Sequence, residues 1–200
     1  MEKEEIEKLN PLHGKHLLLA SASPRRRELL GQLNVEVRLA PVKDVDESYP
    51  DSLDPADVPA FISRKKADAY TGSLAPHEVL VTADTVVISD GKVMGKPHSE
   101  DEACAMLAEL SGRVHRVVTG VTLVTSECSV TFSEMTEVEF APLSDDEIRF
   151  YVERYRPLDK AGAYGIQEWI GYIGVNGIRG DYYNVMGLPL RALYSHLKAL

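Results

Sequence analysis

Between His16 and Ala20 the chain carries a short apolar run, HLLLA, which passes through SASP straight into RRRELLGQL. A run of that length bounded by small residues suits a buried strand. Ser23 followed by Pro24 has the chemistry of a helix N-cap and a first helical position. A strand that feeds a helix directly must bury one face of each. The same alternation continues along the chain, which predicts an α/β domain. Val35–Ala40 alternates as a second strand, residues 41–56 are rich in Asp, Pro and Ser and read as a loop, and a helix is expected near Pro59–Tyr70.

The segment VLVTADTVVISDGKVMGKP predicts a strand interrupted at Asp84 and then a hairpin turning at Asp90-Gly91. Ser99 with Glu102 and Ser144 with Glu147 have capping-box spacing, opening the helices EDEACAMLAEL (closed by Gly112) and DDEIRFYVERY. Val117–Thr125 and Ser129–Ala141 are β-rich and suit antiparallel partners. Asp159–Gly187 is glycine-rich and irregular, with a short strand expected near Tyr172–Val175, and a final amphipathic helix follows Pro189. Crossover and hairpin connections together predict a long mixed sheet, parallel and antiparallel, flanked by helices, with room for a cleft between two lobes.

With 200 residues, 44% of them hydrophobic, the chain can bury one sizeable core. Residues 16–200 are expected to form a single domain, and the charged stretch 1–15 a solvated extension. A net charge of −9 argues against a nucleic-acid partner bound through a broad basic surface. Absence of an apolar run of roughly 20 residues argues against a membrane partner. Cys104 and Cys128 lack metal-ligand spacing and read as free thiols, consistent with a cytoplasmic protein.

Arginines are nevertheless concentrated at one place. Arg25, Arg26 and Arg27 fall in the first turn of the helix after SASP, where the helix dipole disfavours cations by roughly 0.3–1 kcal/mol each. An anion bound at the helix tip would reverse that cost, with Arg25 and Arg26 clamping phosphate and Ser21 or Ser23 donating a hydroxyl. An N-capped helix with solvated arginines gives the same pattern. Asp84, after an apolar run, suits either a catalytic carboxylate at a strand's mouth or a turn-forming residue. In DVDES, Asp44, Asp46 and Glu47 can serve a hard divalent cation or simply be solvated. Lys66 and Lys96 can offset phosphate charge if their segments meet. In DKAGAYGIQ the small residues around Tyr164 permit close approach to a flat ligand, and the Gln167 amide can pair with the edge of thymine or uracil. Asn184, in GDYYNVMGLP, reads first as a backbone-binding residue.

Taken in order, LLASASPRRRELL, RKKA, TADTVV, GKP, LSGRVHRVVTGV, DKAGAYGIQ and GDYYNVMGLPL closely resemble the Maf family of nucleotide pyrophosphatases, in particular its dTTP/UTP pyrophosphatase branch. The resemblance implies a mixed α/β fold with two lobes around a deep cleft, similar to that of inosine triphosphate pyrophosphatases. It also implies hydrolysis of dTTP and UTP to monophosphate and pyrophosphate with Mg or Mn as divalent metal cofactor. It assigns Asp84 as proton acceptor and, with Glu47, as metal ligand. Arg25, Thr85 and Gln167 match positions tied to selectivity, and Ser21, Arg26, Lys66 and Lys96 match the polar pocket. Ala22 stands where glycine is common, and Lys65 where an acid is often found. Related activities remain open: the same chemistry on modified or purine nucleotides, or a non-catalytic nucleotide-binding regulator of cell division. A homodimer is compatible with the resemblance.

Overall fold

The computed structural model describes residues 10–12, 14–70 and 72–200. The expected extension therefore lies largely outside the described residues, though Leu12 is already buried and packs with the core. Strand β1 is His16–Leu19, and helix α1, Pro24–Gly31, follows with Ser23 as N-cap, its side chain accepting from the Arg26 N–H. The second strand, β2, is Val37–Leu39, and helix α2 is Val58–Asp68. The long strand β3 is Glu78–Ser89, paired through a tight turn with β4, Lys92–Met94. That turn needs positive φ at two positions, supplied by Asp90 at 46° and Gly91 at 76°.

Helix α3, Glu100–Leu110, precedes the strands β5, Val114–Val124, and β6, Ser129–Phe140. Helix α4, Asp145–Tyr155, opens with the full Ser144–Glu147 capping box. At α3 the box is only half made. Ser99 accepts from the Glu102 N–H, but the Glu102 carboxylate accepts from the N–H of His98, one residue earlier than expected. The remaining elements are a 3₁₀ turn at Ala161–Ala163, α5 at Trp169–Gly174, β7 at Val175–Arg179, α6 at Tyr182–Met186 and α7 at Leu190–Leu197. The short strand thus starts where it was expected to end. Tyr172 belongs to the helix before it, because β7 takes its register from β6, with Val138 opposite Ile178.

Among the described residues seven strands form one sheet in the order β2-β1-β3-β5-β6-β7, with β4 also on β3. β1 is parallel to both β2 and β3, and the other pairs are antiparallel, so the sheet is mixed as the connections required. Side chains alternate across β3. Val79, Val81 and Ala83 face a core shared with Leu29 and Leu30 of α1 and Leu193 and Leu197 of α7, and Val87 joins the α3–α4 core around Leu107, Phe140 and Tyr151. Val86 and Ile88 face α2 through Val58 and Ile62. No helix among the described residues is long and apolar enough to cross a membrane. Cys104 and Cys128 are both free.

The expected break at Asp84 does not occur in β3 itself. Its register with β5 runs unbroken from Leu80 to Ile88. The gap lies on the opposite edge, where β3 pairs with β1 up to Val81 and with β4 only from Val87 onward. Between them β3 has a free edge, and side chains from both faces can reach the same space there.

Candidate active site

α1 begins beside that free edge because SASP leaves β1 and turns at once, with the Ser21 hydroxyl accepting from the Ser23 N–H at 3.2 Å. Arg26 then reaches into the gap. Its guanidinium donates to the Ala83 carbonyl at 2.9 Å, the Gly187 carbonyl at 2.9 Å and the Thr85 hydroxyl at 3.0 Å. A carbonyl on an open strand edge needs a donor, and Arg26 supplies it in place of a neighbouring strand. Burial lowers the Arg26 pKa from its ordinary value, against the opposing pull of Asp84. With three of its five N–H groups fixed on protein, Arg26 is an anchored charge with two donors to spare.

α2 delivers the second cation. Its N-terminal turn passes directly over Gly120, the register partner of Asp84, where an added Cβ would lie 2.2 Å from the Ala60 nitrogen. Further along, Thr82 donates to the Ser63 carbonyl at 2.7 Å and Ser63 meets Thr122 at 2.9 Å, so hydroxyls fasten the helix to the sheet. Lys66 in the last turn then sits 2.8 Å from Asp84 Oδ1 and 2.9 Å from Glu47 Oε1. Two carboxylates from distant segments converge on one cation, a donor set of hard oxygens that fits a divalent ion keeping several waters. The rest of the acidic loop turns elsewhere. Asp46 is bound by Ser48 and Lys65, which hold its carboxyl at about 2, and the exposed Asp44 does not line the pocket.

The third side comes from DKAGAYGIQ. Arg25 donates to Asp159 at 2.8 Å, and Lys160, although buried, bridges Asp159 at 2.8 Å and Glu168 at 3.2 Å. Burial opposes ionisation of Asp159, but the hydrogen bonds from Lys160 and Arg25 outweigh it and hold the carboxyl below its usual range. Behind them the Tyr151 hydroxyl donates to Glu168 and accepts from the Gly165 N–H. The Gln167 Oε1 is buried with no hydrogen-bond partner among the described residues.

Two adjoining pockets result. One, of about 110 Å³, is lined by Arg25, Arg26, Lys66, Asp84, Thr85, Lys96 and Gln167. The other, of about 270 Å³, adds Ser21 and Glu47 and shares Arg25, Arg26, Lys66 and Lys96 with the first. The nine residues that the resemblance assigns therefore line these two adjoining pockets. Arg27 lies on the outer side of α1, and Asn184 is buried with its amide on the Val117 carbonyl and the Thr136 hydroxyl, a bracing role. Sequence reasoning missed Asp159 and Lys160, which line the first pocket. The only signal was an acid-base pair heading a glycine-rich loop.

The mixed sheet flanked by helices is an α/β fold similar to that of Ham1 proteins. A Ham1 protein from Coxiella burnetii aligns with a TM-score of 0.51 at 18% identity, covering 93% of this chain and 100% of that one. The Staphylococcus aureus Ham1 protein aligns with a TM-score of 0.51 at 16% identity, covering 92% and 99%. These likenesses concern the fold. The chain belongs to the Maf family, whose model, described as Maf-like protein, matches residues 16–200. It is 54% identical over 184 residues to a protein of Bacteroides thetaiotaomicron named dTTP/UTP pyrophosphatase, covering 92% of this chain and 95% of that one. A protein of the same name from Phocaeicola vulgatus is 53% identical, covering 92% and 95%. Another from Cytophaga hutchinsonii is 43% identical, covering 96% and 87%.

Proposed function

We propose that this chain hydrolyses dTTP and UTP to the nucleoside monophosphate and pyrophosphate. The observation that carries the reading is one cavity in which Arg25, Arg26, Lys66 and Lys96 face the carboxylate of Asp84 across an open strand edge. Four cations around one small space suit a triphosphate, whose charge is the main burden in cleaving a phosphoanhydride. The names carried by relatives at 54% and 53% identity support the same activity.

Asp84 accepts the proton of a water as its oxygen bonds to the α-phosphorus. The bond from that phosphorus to the bridging oxygen breaks, and pyrophosphate leaves with the electron pair. Lys66, 2.8 Å from Asp84, keeps the carboxylate in place and compensates the charge that substrate brings. Arg25 exchanges Asp159 for phosphate, while Arg26 stays fixed on the strand edge and turns its two remaining donors to the anion. Glu47 and Asp84 would hold Mg²⁺ or Mn²⁺, which when bound neutralises phosphate charge.

Base choice follows from hydrogen-bond arithmetic. Thr119 donates to the Asn184 carbonyl at 3.1 Å, so at the 2.9 Å contact between the two hydroxyls Thr85 is the donor. Thr85 has no hydrogen left, accepts from Arg26, and offers the pocket only a lone pair. Together with the unpartnered Gln167 oxygen it presents acceptors suited to the N3–H of thymine or uracil, with the Gln167 NH₂ available to the base carbonyl. Release of pyrophosphate from a panel of nucleoside triphosphates, with and without Mg²⁺, tests the reading, with Asp84→Asn as the control. dTTP and UTP should lead the panel and Asp84→Asn should lose nearly all turnover while remaining folded. Equal turnover in that variant would dismiss Asp84 as the base, and preference for purine or modified nucleotides would dismiss the substrate.

A further inference from the structure

His16, His77 and Glu78 gather at the end of the sheet opposite the pocket. His16 opens β1 and the pocket residue Ser21 lies just past its other end, so at about 3.3 Å per residue the two places lie roughly 16 Å apart. Parallel pairing sets the cluster. His16 is the register partner of Glu78, which places both side chains on the same face, and the His16 N–H donates to the His77 carbonyl at 3.1 Å. The two imidazole rings lie 4.9 Å apart between centroids, and the ligating atoms of all three residues lie within 4.8 Å of one another.

One atom of this cluster is costly as it stands. His16 is 5% exposed, and its Nε2 has no hydrogen-bond partner among the described residues. The nearest acceptor, Glu78 Oε1, is 3.7 Å away, too far for a hydrogen bond. The other oxygen of Glu78 accepts from the Ala75 N–H at 2.9 Å, which fixes the carboxylate with Oε1 turned to the histidine. His77 is exposed and gives an ion a way in.

We propose that His16, His77 and Glu78 form a zinc-class transition-metal site, separate from the pocket. Two imidazoles and one carboxylate are a donor set that zinc favours. Bonds of about 2.0–2.2 Å place tetrahedral ligands roughly 3.3 Å apart, within reach of small side-chain rotations. The ion satisfies the buried Nε2, ties the start of β1 to the start of β3, and leaves a fourth position on the exposed side for water. Its role is to clip two parallel strands, since no pocket residue is near, and it stands whether or not the proposed hydrolysis is correct.

The test is zinc titration of the full-length, metal-stripped protein by calorimetry, with thermal unfolding alongside. One equivalent should bind in Asp84→Asn, in which the pocket's carboxylate pair is broken. Binding should weaken at least tenfold in His77→Ala, whose side chain is exposed, and in Glu78→Gln, which keeps an oxygen for Ala75. Zinc should raise the Tm of the unsubstituted protein and not that of His77→Ala. Undiminished binding in His77→Ala and Glu78→Gln, loss of binding in Asp84→Asn, or no binding by the unsubstituted protein would each overturn the proposal.

Discussion

Acid should weaken this protein through His115. The ring is 1% exposed on β5, edge-on to Phe140 at 5.0 Å and to Tyr164 at 5.4 Å, with Nε2 2.7 Å from the Tyr164 hydroxyl. Burial lowers its pKa from 6.5 to about 4. Burial likewise raises the Tyr164 pKa, so the phenol keeps its proton and shares a hydrogen bond with a neutral imidazole, the tautomer setting which group donates. The unfolded chain takes up a proton near pH 6.5, whereas the folded protein resists it down to about 4. The resulting stability is present above pH 6.5 and lost as pH falls between those values. At 1.36 kcal/mol per pH unit the loss amounts to about 3 kcal/mol. The assay is urea denaturation at intervals from pH 7 to pH 4, comparing the unsubstituted protein with His115→Gln, whose amide can still pair with the Tyr164 hydroxyl as donor or acceptor. The carboxylates and other histidines are common to both, so the difference isolates this ring. The unsubstituted protein should lose about 3 kcal/mol more than the variant over that range. Parallel curves would refute the reasoning. Because Tyr164 lines the candidate pocket, the same titration should degrade activity at low pH in the unsubstituted protein.

Gly120→Ala should destabilise the fold by about 3 kcal/mol or more, since the new methyl meets the backbone of α2 at 2.2 Å; an unshifted urea midpoint would contradict that packing. Arg26→Lys keeps the charge but loses the planar fork, leaving the Ala83 and Gly187 carbonyls without their donor, and should cost about 3 kcal/mol in the same assay. Gln167→Ala should narrow the ratio of kcat/KM for UTP over ATP by roughly tenfold, while an unchanged ratio would remove Gln167 from base recognition.

Local chemistry made much of the fold readable. Ser23-Pro24 marked the start of α1, Asp90-Gly91 the hairpin, and Ser144 with Glu147 the start of α4, because caps and tight turns depend on neighbours a few residues apart. Element edges were less accessible. β7 was expected near Tyr172–Val175 but runs Val175–Arg179, because its limits are set by pairing with β6 rather than by its own residues.

For the site, the sequence determined the inventory: arginines at a helix tip, an acid after an apolar run, lysines, and an amide in a glycine-rich loop. What it left undecided was how each is used. Asp84 read as a break in its own strand, whereas the break belongs to the neighbouring edge, between the ends of β1 and β4. Arg26 read as a phosphate clamp, whereas two of its donors are taken by Ala83 and Thr85 on β3 and a third by the Gly187 carbonyl. Short-range signals lie in the chain because they act between adjacent residues. The joining of Lys66 to Glu47 and Asp84, of Arg25 to Asp159, and of His16 to His77 and Glu78 exists only once strands far apart in sequence have taken their register.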